Sequence, residues 1–102
     1  MKYIEKTAEE ILRIFKDYIE SNELIDVCKT KFGYILLHYN PDRDEIIYAP
    51  EIIRTGEEML QSLREEIILD VIGNTDHDIE TASEEELEEI KRRLKPFLDR
   101  LQ

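Results

Sequence analysis

Glycine is scarce in this sequence, which has 3 glycines among 102 residues. Loops that cradle a nucleotide phosphate need closely spaced glycines, as in Gly-x-Gly-x-x-Gly or Gly-x-x-x-x-Gly-Lys, and neither pattern occurs. The Gly-x-Ser-x-Gly turn that carries the nucleophile of many hydrolases is also missing from the sequence. The sequence therefore gives no support to a nucleotide-binding protein or to a hydrolase of that type.

Cysteine is scarcer still, because Cys28 is the one cysteine in the sequence. One cysteine allows no disulfide within the chain and no multi-cysteine metal cluster. No catalytic motif surrounds Cys28, so we expect it to be a small buried hydrophobic residue and not a nucleophile.

Long apolar runs are missing as well. No uninterrupted apolar segment approaches the roughly 18 residues that a membrane-spanning helix needs. Residues 1–6 lack the apolar core of a signal peptide. We therefore expect a cytoplasmic protein that does not bind a membrane.

Basic residues are fewer than acidic residues. The sequence has 14 Lys and Arg against 25 Asp and Glu, a formal net charge of −11. This charge repels phosphate backbones, so we expect no nucleic-acid partner and high solubility. A chain of 102 residues is the size of one compact domain, which predicts a single domain over 1–102.

The first segment has the pattern of an amphipathic helix. Apolar residues recur every three or four positions between Ile4 and Ile19, and the pattern predicts a helix over 7–21. Thr7 and Glu10 have the spacing of a capping box at its start.

The next segment is typical of β-structure. Residues 27–39 are rich in β-branched, aromatic and aliphatic side chains, and the polar stretch 40–44 that follows favours a turn. A second strand over 45–49, closed by Pro50, completes a predicted antiparallel hairpin over 31–49. Residues 24–29 fit a separate strand, part of one long kinked strand, or a short helix.

Two more helices follow the hairpin. Thr55 and Glu58 form a second capping box, which predicts a helix over 56–72 with Gly73 as its stop. A last helix is predicted over 84–101, with a kink or a break near Lys95 because Pro96 interrupts the hydrogen-bonding pattern. The predicted class is α+β, in the order α-β-β-α-α with two or possibly three strands. The two strongest apolar faces are expected to be buried against each other, one with Ile11, Phe15 and Tyr18, the other with Leu60, Leu63, Ile67 and Val71.

The acidic stretch 74–85 contains candidate metal ligands. Asn74, Asp76, Asp78 and Glu85 fall at ligand positions of an EF-hand calcium loop, which the stretch resembles in part. Ile79 occupies the position where that loop needs glycine, so we interpret the stretch as a solvated acidic loop. His38 and His77 lack the spacing of paired metal ligands on a helix. We therefore predict no metal and no cofactor.

The predicted hairpin has two apolar faces. Phe32, Tyr34, Leu36 and His38 point to one side of the first strand. Ile35, Leu37 and Tyr39 point to the other. A small sheet covered on one side should have a polar outer face. The last helix, a second copy of the protein or a different partner protein therefore has to cover the second face.

The sequence leaves the biochemical function unknown, and three hypotheses fit it. The first is a non-enzymatic interaction or regulatory module, a homodimer whose contact buries roughly 1,200 Å² or more. Its predicted interface consists of Phe32, Tyr34, Leu36 and His38. The second is a small enzyme that uses carboxylates and His38 in a pocket. The third is an acidic mimic of nucleic acid that binds a basic protein.

Overall fold

Two helices precede three strands, and two more helices follow them, in the part of the chain that the structure describes. The structure is a computed structural model that describes residues 6–73 and 82–101. The fold is α+β, as predicted, and its sheet is antiparallel. The elements are α1 (Ala8–Ile14), α2 (Lys16–Ser21), β1 (Ile25–Thr30), β2 (Gly33–Tyr39), β3 (Ile46–Ile53), α3 (Gly56–Ile72) and α4 (Glu84–Asp99). By its contacts the chain divides into two compact units, residues 1–59 and 60–102.

The first predicted helix is divided in two. The capping box is confirmed, because the Thr7 hydroxyl accepts from the Glu10 N–H at 3.1 Å and a Glu10 carboxylate oxygen accepts from the Thr7 N–H at 3.0 Å. Phe15 leaves the regular helical conformation, with φ −94° and ψ 9°, and separates α1 from α2. The Phe15 side chain is fully buried, so the division lies where the chain buries its largest residue in this segment.

The sheet has three strands in the order β1-β2-β3. Of the three alternatives for residues 24–29, the separate strand is confirmed, because β1 spans Ile25–Thr30 and pairs with β2. The predicted end of the last strand at Ala49 was wrong. β3 continues through Pro50 to Ile53.

A bulge explains how β3 accommodates proline. Leu36 pairs with Glu51 and His38 pairs with Ile47, so three residues of β3 lie opposite the single residue Leu37. Proline is tolerated in a sheet at bulges and on edge strands, because no ladder hydrogen bond needs its missing N–H there. Pro50 occupies both kinds of position.

The helix α3 has the predicted bounds. Its capping box is confirmed, since the Thr55 hydroxyl accepts from the Glu58 N–H at 3.0 Å and the Glu58 carboxylate accepts from the Thr55 N–H at 3.1 Å. Gly56, the first residue of α3, approaches Lys6 so closely that an added Cβ would lie 1.8 Å from the Lys6 carbonyl oxygen. The start of α3 and the segment before α1 are thus in direct contact within the first unit.

The helix α4 begins at the predicted position but does not break at Pro96. The Ser83 hydroxyl accepts from the Glu86 N–H at 3.1 Å, and α4 then continues through Pro96 to Asp99. Proline removes one helical hydrogen bond, and Pro96 lies three residues from the end of α4, where few such bonds remain to be disturbed.

Both units contain buried apolar residues. The predicted burial of Ile11, Phe15, Leu60, Leu63 and Ile67 is confirmed. Val71 and Tyr18 are only partly buried. In the first unit the other buried hydrophobic residues are Ala8, Ile25, Leu36, Ile53 and Met59, and in the second they are Ile72, Ile90 and Leu94.

Among residues 6–73 and 82–101, no helix combines the length and the apolar character needed to cross a membrane.

Candidate functional site

The two faces of the sheet differ in burial. Directly paired residues of antiparallel strands share a face, and successive residues of a strand alternate between faces. Ile25, Leu36 and Ile53 lie on one face and are 6%, 8% and 3% exposed. This face, the buried face, is the side of the sheet that belongs to the core.

The opposite face is nearly uncharged and contains no buried side chain. We call it the open face. It consists of Asp26, Cys28 and Thr30 of β1, Ile35, Leu37 and Tyr39 of β2, and Ile46 and Ile52 of β3. Each of these eight residues is exposed or partly buried.

The open face exposes large apolar side chains. Ile46 is 53% exposed and Ile52 is 43% exposed, and both belong to the edge strand β3. Ile35, Leu37 and Tyr39 of the central strand are partly buried, since neighbouring strands flank them on both sides. Transfer of such side chains from water to an apolar surface is favourable, so this face can bind another apolar surface.

Asp26 is the one charged residue of the open face, and its carboxylate is engaged locally. It accepts a hydrogen bond from the Val27 N–H at 2.9 Å. On the same face, desolvation raises the pKa of Tyr39 above its usual value of 10.0, and the charges of Asp26 and Cys28 and a hydrogen bond to Asp26 add to the shift.

The predicted interface residues lie elsewhere. Tyr34, Leu36 and His38 share the buried face, where Leu36 is 8% exposed and the other two are partly buried. Phe32 lies in the turn between β1 and β2 and is 67% exposed. Contact of these four residues with a partner stays a prediction, although Leu36 offers a partner little surface.

The sequence pattern identified only part of the open face. Ile35, Leu37 and Tyr39 were recognised as a second apolar face. Ile52 was missed because the predicted strand ended before Pro50. Cys28 was expected to be buried and is exposed, because it projects from an edge strand on the open side of the sheet.

The bulge of β3 carries an unusual tyrosine. Tyr48 has φ 63°, in the left-handed region that bulky residues rarely adopt, and it is 76% exposed. Its ring meets the His38 ring edge-on, with 5.5 Å between centroids and 82° between planes. His38 thus contacts an aromatic ring on the edge strand.

Comparison of this chain with protein-family models, curated proteins and solved structures found no match. The function has to be argued from the geometry of the chain itself.

Acidic residues elsewhere form ion pairs. On α4, Glu89 pairs with both Arg92 and Arg93, and their hydrogen bonds lower its pKa below the usual 4.5. Within residues 6–73 and 82–101, no group of three or more His, Cys, Asp and Glu side chains could hold a metal ion. Most of the stretch that in part resembles a calcium loop, including His77, lies outside the described residues, and Glu85 lies in the first turn of α4.

Proposed function

We propose that this protein is a non-enzymatic interaction module that self-associates as a homodimer through the open face. The observation that carries the proposal is an apolar sheet face with no buried side chain, in a chain that otherwise has abundant charge. Exposed apolar patches of this kind mark interaction sites, because their burial releases ordered water.

The charge distribution favours a second copy as the partner. The chain has a net charge of −11, so a basic partner would be attracted to its acidic surfaces. The open face offers such a partner one carboxylate, that of Asp26, which already accepts a hydrogen bond from the Val27 N–H. A neutral apolar surface complements this face better, and the open face of a second copy is one.

The dimensions of the face predict a weak dimer. Seven residues at about 3.4 Å each and three strands about 4.8 Å apart give roughly 300 Å² of flat area per copy. Two copies give roughly 600 Å² of flat area, which corrugation by side chains raises toward the lower limit of the ~1,200–2,000 Å² of stable complexes.

The proposal retains the expected cytoplasmic location. Cys28 is an exposed free thiol on the proposed contact surface. A reducing compartment keeps such a thiol from forming disulfides with other proteins. The enzyme that uses His38 and the acidic mimic of nucleic acid stay predictions.

Sedimentation equilibrium at micromolar concentration tests the proposal. The native chain should approach twice its 12.2 kDa as concentration rises. Changing Ile46→Ser and Ile52→Ser together should weaken association at least about tenfold, because both exposed side chains leave the contact in each copy.

Leu69→Ser is the matched control. Leu69 is 54% exposed on α3, so this change removes a similar exposed apolar side chain outside the open face. The dimer constant of this variant should equal that of the native chain. A monomeric native chain, or equal weakening by the control and the double variant, would refute the proposal. Thermal melts of all variants establish that they remain folded.

A further inference from the structure

The edges of the sheet are the alternative route to self-association. With the order β1-β2-β3, both β1 and β3 are edge strands. An edge with free N–H and C=O groups can pair with a second copy and extend the sheet. Whether the two copies of the proposed homodimer can join edge to edge therefore depends on how many backbone N–H and C=O groups these strands leave free.

The outward N–H groups of β1 are largely occupied. The Tyr39 N–H donates to the Leu24 carbonyl at 2.8 Å, so residues of even number in β1 direct their backbone groups toward β2. Ile25, Val27 and Lys29 direct theirs outward. The Ile25 N–H donates to the Asn22 carbonyl at 3.4 Å, and the Val27 N–H donates to the Asp26 carboxylate at 2.9 Å. Two of the three outward donors thus already have local acceptors.

The other edge is irregular. β3 contains the bulge at 48–50, in which Pro50 has no N–H and Tyr48 has a positive φ of 63°. Bulges and proline on an edge strand prevent regular pairing with another strand. A second copy finds no continuous ladder of donors and acceptors on β3.

We infer that two copies stack open face on open face, as two layers of sheet, and do not join edge to edge. This inference rests on the proposed homodimer and adds its geometry. Stacked sheets lie about 10 Å apart with their strands crossing near −30° or 90°. A two-fold axis between the layers brings the same apolar stripe, Ile35, Leu37 and Tyr39, together from both copies.

Cys28 reports on this geometry without any substitution. Its thiol is exposed and belongs to the open face near the β1 edge. Stacking covers the thiol, whereas pairing along an edge keeps side chains above and below the extended sheet and leaves the thiol in solvent. The rate of Cys28 alkylation by iodoacetamide therefore distinguishes the two arrangements.

The experiment measures this rate below and above the concentration at which the native chain dimerises. Stacking predicts that the rate falls in proportion to the fraction of monomer. The variant with Ile46→Ser and Ile52→Ser should show the same fall only at concentrations at least about tenfold higher. Hydrogen exchange of the Val27 and Lys29 amides gives a second measurement, and stacking predicts exchange that does not change with concentration.

The outcomes separate the two claims. A native chain that dimerises while the Cys28 rate stays constant, or while the Lys29 amide becomes protected, would overturn stacking and leave the homodimer in place. A chain that stays monomeric at all concentrations would overturn both.

Discussion

At the scale of single residues, Gly56 shows that a close approach between two backbone segments can require glycine. Alanine favours helices over glycine by about 1 kcal/mol, so helix propensity alone predicts that Gly56→Ala stabilises α3. The structure predicts the reverse, because the added Cβ would lie 1.8 Å from the Lys6 carbonyl oxygen and 2.8 Å from its carbon.

We expect Gly56→Ala to lower the free energy of unfolding by about 2 kcal/mol, since a clash with backbone is relieved only by moving one of the two segments. Gln61→Ala, at an exposed position of the same helix, should change stability by less than about 0.5 kcal/mol. Urea denaturation measures both. An unchanged midpoint for Gly56→Ala would show that α3 and residue 6 are not in contact.

Tyr48 and Cys28 show what residue patterns do not reveal. Tyrosine favours strands, and nothing in the sequence near Tyr48 signals its φ of 63°, which follows from pairing in which Leu37 faces three residues. Cysteine is among the residue types that are most often buried. The exposure of Cys28 depends on which face of the sheet the rest of the chain covers. Both properties arise from tertiary arrangement.

At the scale of elements, the capping boxes made helix starts predictable. Each pairs a hydroxyl residue with a glutamate three positions later, a local pattern that is readable without knowledge of the fold. The end of β3 was not predictable, because proline is tolerated within a strand at an edge or at a bulge, and the sequence shows neither condition. The division of the first predicted helix into α1 and α2 was not predictable either, because it lies at Phe15, whose side chain is buried in the tertiary structure.

The capping box of α1 predicts a pH dependence. The hydrogen bond from the Thr7 N–H, followed by that from the Thr7 hydroxyl, lowers the pKa of Glu10 below its usual 4.5. A carboxyl whose pKa is lowered on folding stabilises the fold above the unfolded value of 4.5. That stabilisation is lost as pH falls through the folded value.

Glu10→Gln should therefore lower the melting temperature near neutral pH and change it less at a pH below the lowered pKa, where Glu10 is protonated in both states. Glu9→Gln is the neighbouring control, and Glu9 forms only an exposed pair with Arg13 at 3.4 Å. Thermal melts across acid and neutral pH measure the difference. A constant effect of Glu10→Gln at every pH would contradict the cause assigned to its pKa.

At the scale of the whole molecule, high net charge and the open face act in opposite directions. Two copies of charge −11 repel each other through water, while burial of the open face attracts them. The sequence predicted a second apolar face and self-association. It did not predict which residues complete that face, because Ile46 and Ile52 join it only through the register of β3.

Salt separates these two contributions. The screening length falls from about 30 Å at 0.01 M salt to about 8 Å at 0.15 M, so added salt removes repulsion between the acidic copies. A contact made by apolar side chains does not depend on attraction between opposite charges, and salt leaves it in place.

Sedimentation equilibrium of the native chain at low and physiological salt is the most direct test of self-association through an uncharged face. The account predicts that the average mass rises from 12.2 kDa toward twice that value with concentration, and that the dimer forms at lower concentration when salt is added. A chain that remains at 12.2 kDa throughout, or a dimer that dissociates as salt is added, would contradict it.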